Sequence, residues 1–220
     1  MKQSTKDKPE GTAHEVKGAV TKKVADTTNE GRNGKVVGKV RRSSSYPEEQ
    51  PISFINLFIL ELDREVKRSR RALEMVPDNK RNWKPHEKSM EFGYLSDMVA
   101  TIPTWMTMIV KQDELDLAPK DGARQGRPQP TTSAEYIAEL EKTAGEAREA
   151  LKGTTEKHLQ THWKLLAGGQ VVSNTPRHEM LRDTINHWAH HRGQMTVYLR
   201  LMGAKVPALY GPFADDKRFD

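Results

Sequence analysis

The chain has 220 residues, 35% of them hydrophobic and 30% charged, with no cysteine and a formal net charge of +6. These proportions fit one globular domain with a poorly packed attachment. They exclude a membrane-embedded chain, since no run nears the ~18 consecutive apolar residues of a span. Without cysteine there is no disulfide, no thiolate metal site and no thiol nucleophile on the protein itself.

Residues 1–46 carry 11 Lys and Arg against 5 Asp and Glu, so the entire positive surplus lies there and the rest of the chain balances. Met1-Lys2-Gln3-Ser4-Thr5 leads into further polar residues with no apolar h-region, and a cytoplasmic location is expected. A basic arm of this composition is expected to be mostly disordered and to bind nucleic acid or an anionic surface weakly. Two short echoes occur within it, Glu15-Val16-Lys17-Gly18-Ala19-Val20 and Lys35-Val36-Val37-Gly38-Lys39-Val40. With Lys8-Pro9-Glu10-Gly11-Thr12-Ala13-His14 ahead of them, residues 6–41 resemble the small CsbD-like stress-response family. That family has a longer, more acidic middle, shortened here to Asp26-Thr27-Thr28-Asn29-Glu30. Arg41-Arg42-Ser43-Ser44-Ser45 reads as a linker, which divides the chain into 1–46 and 47–220.

From Pro51 the pattern changes. Ile55, Phe58, Leu62, Val66, Leu73 and Val76 keep mostly helical spacing, and Pro77-Asp78-Asn79 ends this first helix. Ser89 is the expected N-cap of a second, with Phe92, Leu95, Met98, Ile102, Trp105 and Ile109 on one face and Pro103 kinking or dividing it. Residues 113–130 read as a loop. Thr132-Ser133-Ala134-Glu135 is a capping box opening a third helix, faced by Ile137, Leu140, Ala144, Ala147 and Leu151. Residues 153–175 lack helical period, and Gly168-Gly169 predicts a short irregular hairpin. Thr175 and Pro176 then start a fourth helix, Pro176 at its first position, and Gly203 ends it. The predicted fold class is all-α, a four-helix bundle with one hairpin before the last helix.

On that last helix His187 and His191 are four apart and share one face. They fall on the stripe of Met180, Thr184, Met195, Tyr198 and Met202, so two imidazoles interrupt a face that should be buried. His190 and Arg192 lie off that face. The pair has the reach to bind one divalent ion, although a hydrogen-bonded core histidine is the ordinary alternative. His187 is followed by Trp188, so the general base of an HExxH protease is missing. Arg192 and Arg200 are read as helix-surface salt-bridge residues, Trp105, Trp188 and Tyr198 as core or interface, and His86 and the pair His158/His162 as unconnected with the site.

His187-Trp188-Ala189-His190-His191-Arg192-Gly193-Gln194, followed by Tyr198-Leu199-Arg200 and Val206-Pro207-Ala208-Leu209-Tyr210-Gly211-Pro212, resembles the closing signature of the DinB-like family. Trp83-Lys84-Pro85-His86-Glu87-Lys88-Ser89-Met90 is similar to a second block, and Gly168-Gly169-Gln170 with Pro176-Arg177 to a third, so the likeness spans about residues 50–216. The resemblance implies a four-helix bundle, often a homodimer, with three His around a divalent metal such as zinc or nickel. It also implies a thiol-dependent transferase or isomerase activity that draws on a small-molecule thiol. Two of the three ligands carry over to His187 and His191. The third falls in a Leu-x-x-His-x-Ala pattern that here reads Leu95-Ser96-Asp97-Met98-Val99-Ala100, so the position is Met98, with Asp97 beside it. A thioether is a weak ligand for zinc or nickel. Open readings are a weak site completed by Asp97, water or substrate, and a metal-free site. The expected function is therefore a metal- and thiol-dependent transferase with a degenerate metal site. The alternative is a non-enzymatic, stress-associated binding or interaction module.

Overall fold

The computed structural model describes residues 53–119 and 129–218. The basic arm of residues 1–46, with its CsbD-like segment, lies outside the described residues, as does the middle of the 113–130 loop. The described part is mostly helical, with six helices and one three-stranded sheet.

The first helix, α1, spans Phe54–Leu73. Ser53 caps it by accepting the Asn56 N–H. The Glu156 carboxylate accepts from Ser53 Oγ at 2.6 Å and from the N–H groups of Phe54 and Ile55. It thereby satisfies orphan amides and meets the positive end of the helix dipole. The helix stops short of Val76 because Val76 precedes Pro77, a position that disfavours helical backbone.

Helix α2, Phe92–Thr101, has its N-cap two residues after the predicted position. Ser89 does not cap it, and Glu91 at the N-cap makes no side-chain cap bond. Instead the loop folds back, and the carbonyls of Trp83 and Arg81 accept the N–H groups of Phe92 and Gly93, both at 2.8 Å. A Cβ at position 93 would run into the Arg81 side chain, so only glycine fits there. Pro103 divides the helix as expected: α3, Pro103–Lys111, starts with Pro103 in its first turn.

Strand β1, Glu114–Asp116, lies in a stretch read as loop. Helix α4, Ser133–Lys152, opens with the predicted capping box, Thr132 Oγ1 and the Glu135 carboxylate each accepting the other's backbone N–H. A four-residue helix, α5, Glu156–Leu159, follows. Strands β2, His162–Ala167, and β3, Gln170–Pro176, form the expected hairpin, irregular at Leu165/Leu166. Gly168 and Gly169 both have positive φ, 63° and 83°, as a tight two-residue turn requires. β1 pairs with β2 in parallel, giving the order β1-β2-β3. Asp116 accounts for this unexpected strand: its carboxylate accepts the N–H groups of Gly168 and Gly169 at 2.9 and 2.7 Å, tying β1 to the hairpin turn.

Helix α6 spans Arg177–Leu201. Pro176 closes β3 and is the N-cap rather than the first helical residue, and the Arg177 N–H goes to the Thr161 carbonyl. The helices α1, α2 and α3 each pack against both α4 and α6. Leu62, Leu95, Ile102, Leu140, Leu181 and Trp188 are fully buried between them. No described helix is long and apolar enough to cross a membrane.

Candidate functional site

Three contacts set how α6 faces its neighbours. Phe92 meets the Tyr198 ring, the Trp188 indole Nε1 donates to the Val99 carbonyl at 2.8 Å, and Trp105 lies tilted on His187 at 5.2 Å between centroids. The path from α2 to α3 therefore runs antiparallel to α6. On the opposite side Arg192 faces α1. These anchors leave the His187–His191 stripe directed at α3.

His187 and His191 come together as the spacing predicted. His191 Nε2 lies 2.6 Å from His187 Nε2, and His191 Nδ1 lies 2.9 Å from Gln194 Oε1. In the tautomer in which His191 Nδ1–H donates to Gln194 Oε1, His191 Nε2 offers its lone pair to the His187 Nε2–H. His187 Nδ1 then carries a lone pair and has no hydrogen-bond partner among the described residues. Burial foremost lowers the pKa of both rings; His191 and His190 add to this at His187, while at His191 the Gln194 hydrogen bond opposes it and His190 adds to it. His190 itself is exposed, with its ring edge on His191.

The other predicted positions are resolved as follows. Met98 is partly buried, packed on the core, and by register it falls between the Phe92–Tyr198 and Trp105–His187 contacts, level with His191. Asp97 is buried, and its charge acts on Tyr136 of α4, raising that phenol's pKa after burial has done so first. His86 is an exposed loop residue whose Nδ1 accepts the Lys88 N–H. His158 and His162 are apart in role, one on the Val110 carbonyl and the other on Asn174.

Arg192 is a correction. It is not a surface salt-bridge residue but fully buried. Its guanidinium pairs with the Glu65 carboxylate and the Tyr210 hydroxyl, and donates to Ser69 Oγ at 2.9 Å and the Glu65 carbonyl at 3.2 Å. Arg68 also pairs with Glu65, at 2.5 Å, and donates to the Leu209 carbonyl at 3.0 Å. Burial by itself would raise the Glu65 pKa, but Arg192, Arg68 and Tyr210 outweigh it and hold it below the ordinary value. This network pins residues 208–210 to α1 and α6. A signal for it existed: Glu65 and Ser69 fall on the Phe58-Leu62 stripe at helical spacing, where apolar residues belong. Arg200 does make a surface pair, with Asp215 at 2.6 Å.

Zinc or nickel in the arrangement implied by the resemblance takes three imidazoles. Here two converge, and the third position is a thioether. Among the described residues no group of three His, Asp or Glu comes together to hold an ion. The donor set does not fit a three-imidazole centre.

A mostly helical protein with a histidine pair on its last helix, His191 buried and His187 half-buried, is the class these features define. Residues 53–218 match the DinB family, and the chain belongs to it. The uncharacterized protein YrdA of Bacillus subtilis is 38% identical over 86 residues, which are 39% of this chain and 49% of that relative. The match thus spans about half of the curated relative's length. A crystal structure of a DinB-like protein from Bacillus cereus is 25% identical, with a TM-score of 0.56, covering 71% of this chain and 97% of the other. One of the DinB-like YjoA from Bacillus subtilis is 17% identical, with a TM-score of 0.54, covering 74% and 100%, and supports the fold alone.

Proposed function

We propose that the His187–His191 pair is a general-base site for a small thiol, serving thiol transfer without a three-imidazole metal centre. The observation that carries this is the 2.6 Å contact between the two Nε2 atoms with Gln194 at the far nitrogen of His191. It leaves His187 Nδ1 as the acceptor of the pair. A thiol donating its S–H to that atom would pass the proton to His187, and His191 Nε2 would stabilise the imidazolium through the shared hydrogen bond. The sulfur would then attack an electrophilic carbon, forming the S–C bond as the leaving group departs with its electron pair. A thiol from solution is required, because the chain has no cysteine of its own.

The test is conjugation of N-acetylcysteine to monochlorobimane by the full chain, with His187→Ala and His191→Ala alongside. Protein labelling cannot confuse the signal, since the protein has no thiol. A rate above the thiol-only background that falls about 10²-fold or more in His187→Ala is expected. Equal rates in all three proteins would overturn the proposal.

Met98 favours a second reading, a non-enzymatic binding module in which the pair only holds a ligand. It predicts saturable thiol binding with no conjugation. In either reading a four-helix bundle with a homodimer interface is part of the proposal, and sedimentation equilibrium measures the dimer.

A further inference from the structure

Helix α1 lies on the Arg192 side of α6, away from the face that carries the histidines, and it bears a row of cations. Lys67, Arg68 and Arg71 follow Arg64 at three, four and seven residues, so all four share one helix face over about two turns. Together they line a groove of about 350 Å³. Among the described residues its lining holds no acidic side chain.

The four heads are held differently. Arg68 is 9% exposed, and its guanidinium is fixed by Glu65 and the Leu209 carbonyl and lies over the Tyr210 ring at 4.1 Å. Glu65 is shared with Arg192, so one carboxylate answers two guanidinium groups. Arg71 is anchored at the far end of the row by the Ala208 carbonyl, at 3.2 Å. Lys67 is exposed and makes no hydrogen bond or ion pair among the described residues. Arg64 meets Glu61 at 3.0 Å across an exposed pair, and such pairs hold a side chain weakly. Two positioned guanidinium groups thus stand beside two exposed heads that are able to swing onto a ligand.

We propose that this groove binds an oligophosphate, a free anion with two or more phosphoryl groups in line. Cations on three successive helical turns, about 5.4 Å apart along the axis, match charge spread along a chain better than charge gathered in a single ion. Guanidinium groups grip phosphate oxygens through paired N–H bonds, and Lys67 adds a point charge. A head held in place before the ligand arrives loses little freedom on binding. The site is separate from the histidine pair and does not depend on the general-base reading.

The experiment is isothermal titration calorimetry of the full chain with sodium tripolyphosphate and with inorganic phosphate, at low ionic strength. Residues 1–46 are basic as well, so two variants of equal net charge are compared. One is Arg64→Gln with Lys67→Gln in the groove, the other Lys22→Gln with Lys23→Gln in the arm. Both groove positions are exposed, so the fold is expected to stand. Tripolyphosphate should bind the wild type saturably, about tenfold or more weakly in the groove variant, and nearly as in the wild type in the arm variant. Inorganic phosphate should bind much more weakly than tripolyphosphate. No saturable binding in the wild type overturns the inference. So does any result in which the groove variant loses no more than the arm variant, because the anion is then answering net charge and not α1. Equal affinity for the two anions overturns the row as the feature that selects the ligand.

Discussion

Trp188 lends its indole N–H to the Val99 carbonyl at 2.8 Å, and that carbonyl is the one Pro103 leaves without a helical donor. In an unbroken helix the N–H of residue 103 would bond to residue 99. Proline has none, so the break between α2 and α3 exposes a buried acceptor, and α6 fills the vacancy with a side chain. The same contact holds α6 at the rotation that turns His187 toward Trp105.

Replacing Trp188 with Phe should therefore cost about 1–3 kcal/mol for the unmet carbonyl, besides the packing lost. Pro103→Ala restores a backbone donor to Val99. In a double-mutant cycle read by urea unfolding, the cost of Trp188→Phe should be smaller in the Pro103→Ala background. Strict additivity would show that the indole is not substituting for the missing helical bond.

Glu65 gives a second prediction. Glu65→Leu leaves Arg192 buried beside Arg68 with no carboxylate, and should destabilise by about 3–5 kcal/mol. The double variant with Arg192→Met should recover much of this. The pH sense follows from the depressed pKa of Glu65, which burial opposes and Arg192 enforces. Its contribution is fully present above the ordinary value of 4.5 and is lost as pH falls through the folded value. Acid unfolding midpoints of wild type and Glu65→Gln measure it.

The histidines act in a higher window. Burial lowers both of their pKa values from 6.5, so between the folded values and 6.5 the unfolded chain binds more protons. Their contribution is whole above 6.5 and declines as pH falls toward the folded values. Melting temperature should drop from pH 7.5 to pH 5 more steeply in wild type than in the His187→Gln, His191→Gln double variant. Parallel profiles would mean that the pair is not buried as a neutral unit.

Met98 provides the test of the donor set. Purified without a tag or chelator, the wild-type protein should hold zinc or nickel well below one ion per chain. Met98→His, which places a third imidazole level with His191, should take up about one. Elemental analysis decides it. A full complement in the wild type, lost in His187→Ala, would show that two imidazoles suffice.

Much of the scaffold could be read from local pattern. The capping box at Thr132, the division at Pro103 and the Gly168-Gly169 hairpin are written in a few adjacent residues, and each forms as read. Ser89 and Pro176 misled for the same reason: the ends of α2 and α6 are closed by distant carbonyls, of Trp83 and Arg81 in one case and Thr161 in the other. Strand β1 was illegible, because three residues carry no period and the strand exists through Asp116 reaching the hairpin turn. His187 and His191 were legible as a pair from their spacing. Their mutual hydrogen bond and the role of Gln194 were not.

Helical periodicity and residue chemistry alone determined that this chain builds long amphipathic helices, that two imidazoles share one face of the last, and that no thiol of its own takes part. Those properties depend on neighbours three or four residues apart, which any helix brings together. The tertiary structure decided where that face points and what surrounds it. Arg192 in the core with Glu65, Trp188 on Val99 and Trp105 on His187 join residues up to 127 positions apart, and contacts of that range form only when every helix has found its partners.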